Sequence, residues 1–259
     1  MIWRSHETPT CNGRSPMTVS IVALTLNEID GVKVILPAIR PEWYDQLVVV
    51  DGGSRDGTIE WCRENGYEVF EQRRRGIRYA YFDVLPHLTG DIILTLSPDG
   101  NCAPEFIPAM TAKVREGCDL VIGSRYLGDA HSDDDDAITG FGNWLFTGTV
   151  NLLHGGHYTD AMVIYRAFRR QLIDELDLTE EATYALPEKL FRTVISWEPI
   201  MAVRAAKAGK RIAEVPAGEP ARVGGDRKLQ VFRWGGAYYF QFWRELWYWR
   251  PKVGCRSDG

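Results

Sequence analysis

The chain has 259 residues, of which 45% are hydrophobic, enough to bury a sizeable core without disulfide or metal staples. Its formal net charge of −5 argues against a general nucleic-acid binder, because phosphate backbones are held by basic surfaces. The five cysteines (Cys11, Cys62, Cys102, Cys118 and Cys255) form no CxxC pair, which speaks against a zinc site or a disulfide framework and for a reducing, cytoplasmic compartment.

In chain order, residues 1–17 are polar, lack the apolar core of a signal peptide and are expected to be a disordered leader. Residues 19–26 (VSIVALTL) read as a strand, followed by a helix over 30–39. A second strand, 46–50 (QLVVV), is stopped by Asp51-Gly52-Gly53, and a helix follows over 58–65. A weaker strand is expected at 67–72, then a helix at 76–88 and a strand at 91–96 (DIILTL) stopped by Ser97-Pro98-Asp99-Gly100. A helix over 104–116 and a strand over 119–123 complete this half. The strands are short, β-branched and apolar on both faces, as buried parallel strands are. Their alternation with helices implies an α/β fold with right-handed crossovers and a doubly wound, mostly parallel sheet. Such sheets bind ligands beyond the carboxyl ends of their strands.

The second half is less regular. The acidic run 133–136 reads as a solvated loop, 138–153 as a helix and 161–165 as a strand. A helix over 199–208 ends at Gly209 as a C-cap, and 211–215 reads as a final strand. Residues 229–251 hold ten of the thirty aromatic residues, interrupted by Arg233, Arg244, Glu245 and Arg250, so they are not a transmembrane helix. Such a segment suits a membrane interface, a contact with another protein or a second copy, or packing onto its own domain. The expected organisation is a leader (1–17), one catalytic domain (18–228) and an aromatic, helical C-terminal extension (229–259).

The residues that punctuate the strands carry the chemistry. The acid in Asp51-Gly52-Gly53-Ser54 is either a turn former or an acceptor for base and ribose groups, with glycines that admit a flat ring. Asp99, with Asn101 two positions on, offers the oxygen ligands that Mg²⁺ or Mn²⁺ takes beside a diphosphate. Asp160 and Glu198 each precede a regular element, so each is a capping acid or a general base.

Taken in order, several motifs resemble family-2 glycosyltransferases of the GT-A fold, and among them the polyprenol-phosphate sugar synthases. They are Leu24-Thr25-Leu26-Asn27-Glu28, residues 50–58 (VDGGSRDGT), 73–80 (RRRGIRYA), Gly90-Asp91, Gly123-Ser124-Arg125-Tyr126, 160–168 (DAMVIYRAF), 198–216 and 222–229 (RVGGDRKL). The resemblance implies a nucleotide-sugar donor held by Leu26, Asn27, Glu28, Asp51, Gly53 and Pro98, with Arg75 and Arg78 approaching it. It implies a divalent cation on Asp99 and Asn101, an acceptor phosphate at Arg125, and Arg222 and Lys228 closing over the diphosphate. Asp160 and Glu198 would serve the acceptor, which is a lipid phosphate or a small-molecule or saccharide hydroxyl. The implied activity is inverting, Mg²⁺- or Mn²⁺-dependent hexose transfer from a UDP- or GDP-sugar, in the cytoplasm or peripherally on the cytoplasmic membrane face. The alternative is a nucleotide-sugar-binding module without turnover. Three positions depart from the family pattern: Ser97 replaces the first acid of the metal motif, Gly52 replaces an acid beside Asp51, and Asn143, Thr147 and Asn151 line a helix face where the polyprenol-phosphate branch carries a basic residue.

Overall fold

The computed structural model describes residues 17–100, 102–133, 137–220, 223 and 231–252. The expected leader (all but Met17), Asn101, three of the four acids of the 133–136 run, Arg222 and Lys228 therefore lie outside the described residues.

The strands are β1 (Val19–Thr25), β2 (Gln46–Asp51), β3 (Glu68–Glu71), β4 (Ile92–Leu96), β5 (Leu120–Ser124), β6 (Arg166–Arg169) and β7 (Ile212–Pro216). They form one sheet in the order β3-β2-β1-β4-β6-β5-β7. Every neighbouring pair is parallel except those of β6, which runs antiparallel to β4 and β5. The fold is thus α/β with a mostly parallel, doubly wound sheet.

Successive side chains of a strand point to opposite faces, and both faces here are apolar. Val22 and Leu24 of β1 join Val48, Val50 and Ile93 in one core cluster, whereas Ile21 and Ala23 join Val49 and Leu94 in the other. The second cluster is roofed by α1 (Ile29–Ala38), α2 (Thr58–Glu64) and α4 (Ile107–Arg115), through residues such as Val32, Leu36, Cys62 and Met110. The first is roofed by α3 (Ile77–Val84), α8 (Glu198–Lys207) and α9 (Val231–Tyr248), through Tyr81, Met201 and Phe242. Two further helices, α5 (Ala137–His154) and α7 (Ala182–Phe191), pack against α9, and a short α6 (Leu172–Glu175) follows β6.

The aromatic segment is α9, and one of its faces packs onto the domain. Ala237, Phe242 and Glu245 are fully buried there. The Glu245 carboxylate meets the Arg204 guanidinium of α8 at 3.0 Å, with neither side chain exposed. Trp243 and Trp247 stay on the outer face, 45% and 66% exposed.

The strand expected at 161–165 is corrected: the ladder residues are Arg166–Arg169. The apolar stretch before them is irregular and is apolar for another reason, because the partly buried Met162, Val163 and Ile164 and the buried Tyr165 line a cavity. The buried Arg166 disguised the true strand. It satisfies its guanidinium on backbone carbonyls, with Nε donating to Val163 (2.7 Å), Nη1 to Glu198 (2.7 Å) and Nη2 to Ala161 (2.6 Å).

Candidate active site

The carboxyl ends of β1, β2 and β4 meet at one edge of the sheet. Asp51 ends β2 fully buried, and its carboxylate accepts four hydrogen bonds: from the backbone N–H of Gly53 (2.8 Å) and Ser54 (2.7 Å), and from the hydroxyls of Thr25 (2.8 Å) and Ser54 (2.6 Å). It therefore holds the shape of the turn after β2, in which Gly53 adopts φ +93°. That turn is stitched to the end of β1. Ser54 Oγ accepts from Asn27 N–H (2.7 Å), and Asn27 Oδ1 accepts from Arg55 N–H (2.8 Å). Asn27 sits in the left-handed region (φ +50°), where its short polar side chain can bond locally.

The helix starts behind these loops are joined as well. Asp56 accepts from Ile29 N–H at the start of α1 (3.0 Å) and from Thr58 N–H at the start of α2 (3.0 Å). Burial pushes the Asp56 carboxyl up, but these bonds and the Thr58 hydroxyl outweigh it and hold the acid below its ordinary value. Glu28 is buried between the two loops, and its N–H donates to Thr58 Oγ1 (3.1 Å). Leu26 is exposed at the edge.

Asp99 follows β4 and is buried, with Pro98 beside it. A glycine makes that position possible. A β-carbon on Gly31 of α1 would lie 2.3 Å from the Pro98 carbonyl oxygen and 2.7 Å from the Asp99 Cα. The Val223 N–H donates to the Asp99 carbonyl (3.3 Å), so Val223 lies beside the end of β4. Cys102 is buried nearby. Its thiol is pushed well up, first by burial and then by Asp99, so it is not a ready nucleophile.

A cavity of about 330 Å³ leads inward from Asp99. Ser97 and Asp99 line one part of it, and Arg125, Glu219, Asn143 and Glu198 line others. Asp160 is fully buried behind Arg125 and pairs with it, with Nε donating to Oδ2 (2.6 Å) and Nη2 to Oδ1 (3.1 Å). Arg125 Nη1 reaches Glu219 at 3.4 Å. Burial would lower the Arg125 pKa, but Asp160 and Glu219 hold it above its ordinary value. Asp160 also accepts from Met162 N–H (3.3 Å), so both of its oxygens are engaged.

Glu198 opens α8 and is 2% exposed. Its Oε1 accepts a hydrogen bond from the Tyr81 hydroxyl. The Tyr81 ring stacks on Trp197 with centroids 4.4 Å apart, which fixes that hydroxyl in place. Burial, and then the charge of Glu198, push the Tyr81 phenol well up, so it remains a proton donor. Of the two acids expected to serve an acceptor, Glu198 lines the cavity, whereas Asp160 is held by a guanidinium.

Arg75 is exposed on the loop before α3. Arg78 is buried and faces elsewhere: it forms a two-pronged ion pair with Glu188 of α7 and stacks over Tyr184 at 4.1 Å. It ties α3 to α7 and does not line the cavity.

Several lining residues escaped sequence reading. Ile138, Gly142 and Phe146 of α5 form one wall, and Trp234, Gly235 and Tyr238 of α9 form another. The Tyr238 hydroxyl accepts from Ser196 N–H (2.8 Å), which ties α9 to the loop that presents Glu198. The aromatic density of the C-terminal segment was the available signal, but it does not tell a cleft wall from a membrane face.

Among the described residues no group of three or more His, Cys, Asp or Glu side chains is gathered for a metal. Ser97 and Asp99 provide one hydroxyl and one carboxyl group at the cavity. That sparse oxygen set fits Mg²⁺ or Mn²⁺ of the kind that completes its shell from substrate phosphates and water, and does not fit a cation caged by protein alone.

Comparison with known proteins agrees with this architecture. The model of glycosyl transferase family 2 matches residues 20–177. The glycosyltransferase AglJ of Haloferax volcanii is 28% identical over 89% of this chain and 72% of its own length. An undecaprenyl-phosphate mannosyltransferase of Micrococcus luteus is 28% identical over 85% of this chain and 94% of its own. Among solved structures, a glucosyl-3-phosphoglycerate synthase of Mycobacterium tuberculosis, in complex with Mn²⁺, UDP and phosphoglyceric acid, superposes with a TM-score of 0.62. It covers 92% of this chain and 81% of that one at 20% identity, a likeness of fold.

Proposed function

The chain belongs to glycosyl transferase family 2, and on that premise we propose that it moves a hexose, with inversion, from a UDP- or GDP-sugar to a polyprenyl phosphate or a hydroxyl acceptor, assisted by Mg²⁺ or Mn²⁺. That it is a glycosyltransferase of GT-A fold follows from its family; the donor, the cation and the acceptor are our reading. The observation that carries it is that one and the same cavity is lined by Asp99, at the strand end where donors bind in such sheets, and by Glu198 and Arg125. The Mn²⁺ and UDP held by the mycobacterial synthase are the precedent for the proposed cation and for one of the two bases.

In this reading Leu26, Asn27, Glu28, Asp51, Gly53 and Pro98 form the nucleoside end. Asp51 acts by holding the turn rather than by offering a spare oxygen, because its carboxylate already accepts four internal hydrogen bonds. Asp99 and Asn101 would hold the cation, which when bound neutralises charge on the leaving diphosphate. Arg222 and Lys228, which lie outside the described residues on either side of Val223 in sequence, would add positive charge at the same place, and the exposed Arg75 would approach from the α3 side. Glu198 is the proposed base when the acceptor is a hydroxyl. A peripheral position on the cytoplasmic membrane face also belongs to this proposal, supported by the exposed Phe141 and Trp144 of α5 and Trp243 and Trp247 of α9. No described helix is long and apolar enough to cross a membrane.

Calorimetric titration with UDP, GDP and their hexose conjugates, with and without Mn²⁺, followed by a transfer and hydrolysis assay, tests the reading. Saturable donor binding with sugar turnover is expected. Binding without turnover on any acceptor would make the chain a nucleotide-sugar-binding module instead.

A further inference from the structure

The proposed transfer leaves open whether the acceptor brings an ionised phosphate or a neutral hydroxyl. These differ in charge and in their need for a base, and the cleft bears on both. Asp99, Glu198 and Glu219 all line it. Among the described residues the cation lining it is Arg125. That guanidinium is already matched by both oxygens of Asp160 and approached by Glu219. Arg166, the next buried cation, directs its guanidinium at three backbone carbonyls. Asp99 is the proposed cation ligand and is set aside; among the described residues the carboxyl groups of Glu198, Glu219 and Asp160 still outnumber the Arg125 guanidinium at the cleft. A phosphate there meets like charge beside the buried carboxyl groups of Glu198 and Asp160, where repulsion is screened less than in open water.

Beside Ser97, Thr139, Asn143 and Ser196, the rest of the cleft is largely apolar. Ile138 and Phe146 of α5, Met162 and Val163, and Trp234 and Tyr238 of α9 line it. Gly235 lets α9 lie close to α5, since a β-carbon there would come within 3.3 Å of the Phe146 ring. Such walls suit a hydrocarbon body with one polar group at the reacting end. Glu198 lies on this cleft with Oε1 fixed by Tyr81, as a base for an O–H group must be; an ionised phosphate needs none.

We propose, resting on the hexose-transfer reading above, that the acceptor is an uncharged alcohol carried on an apolar body rather than a lipid phosphate. The alcohol oxygen bonds to the anomeric carbon, its proton passes to the Glu198 carboxylate, and the bond from the anomeric carbon to the diphosphate oxygen breaks, the nucleoside diphosphate leaving with the electron pair.

The test pairs neutral amphiphiles (geranylgeraniol, a diacylglycerol and an alkyl glucoside) with geranylgeranyl phosphate and phosphatidic acid, each assayed with UDP- and GDP-hexoses and the full chain. The expected result is a kcat/KM for at least one alcohol about tenfold or more above that for either phosphate. Glu198→Gln should then lower kcat on the alcohol about 100-fold while donor affinity by calorimetry stays unchanged. Narrowing the cleft with Gly235→Leu, at a residue that lines it, should raise KM for the long-chain alcohols more than for a short alkyl glucoside. Preference for a phosphate, with turnover indifferent to Glu198→Gln, overturns the alcohol assignment and leaves the hexose-transfer reading standing. Donor binding with transfer to no alcohol also overturns it. Absence of donor binding altogether is a different failure and sinks the underlying reading.

Discussion

Gly31 and Asp99 are coupled through backbone. The Pro98 carbonyl occupies the space where any other residue at 31 would place its β-carbon, so Gly31→Ala must push α1 or the Asp99 loop outward. Overpacking of this kind costs about 1–3 kcal/mol. We expect a lower midpoint in urea together with weaker donor binding; unchanged donor affinity would mean that the loop is not held from this side. At this scale the charged residues at strand ends were legible, because Asp51, Asp99 and Arg125 stand in local motifs that stop a strand. Partners distant in sequence were not. Tyr81 and Glu198 are 117 positions apart, and Arg78 and Glu188 are 110 apart. Nothing near Arg78 distinguishes a donor-binding arginine from one that ties two helices together.

The helices around the cleft are held by buried polar contacts. Arg204 on α8 meets Glu245 on α9, and also donates to the Leu176 and Asp177 carbonyls and to the Thr183 hydroxyl. Removing one partner leaves a charge buried without its match, so Glu245→Ala should destabilise the fold by about 3–5 kcal/mol in urea unfolding. A loss below about 1 kcal/mol, the range of surface pairs, would contradict so buried a pair. His154, the last residue of α5, bonds the Phe242 carbonyl of α9 through Nε2 (2.9 Å). Burial, and then the positive charge of Lys207, hold its imidazole below the ordinary 6.5. The unfolded chain therefore takes up that proton first, and stability falls as pH drops below 6.5. His154→Asn should flatten that part of the stability–pH curve; an unaltered slope would assign it to other groups. The first five strands and the helices among them were legible from the alternation of apolar runs and breakers. β6 was not, because a charged residue stands inside the strand and an apolar cleft lining stands before it.

Across the whole molecule, one cleft joins Asp99, at the end of β4, to α5 and the C-terminal helix α9. The aromatic segment belongs to it, since α9 supplies a wall of the cleft and buries Phe242 in the core. Composition showed that this segment was unusual but could not say what it faces, because inward and outward aromatic residues share one helix. Its outer rings, with Phe141 and Trp144 of α5, are proposed to touch a bilayer. Trp144→Ser with Trp247→Ser should reduce co-sedimentation with phosphatidylcholine vesicles, and absence of vesicle binding by the unaltered chain would remove the membrane contact from the proposal. The central claim is that sugar transfer begins at the end of β4. It is tested most directly by the kcat/KM of Asp99→Ala for sugar release or transfer from UDP- and GDP-hexoses with Mn²⁺ present. A loss of about 100-fold or more, with the fold intact by circular dichroism, is the result expected of a residue that holds the charge-neutralising cation; turnover equal to that of the unaltered chain would contradict it.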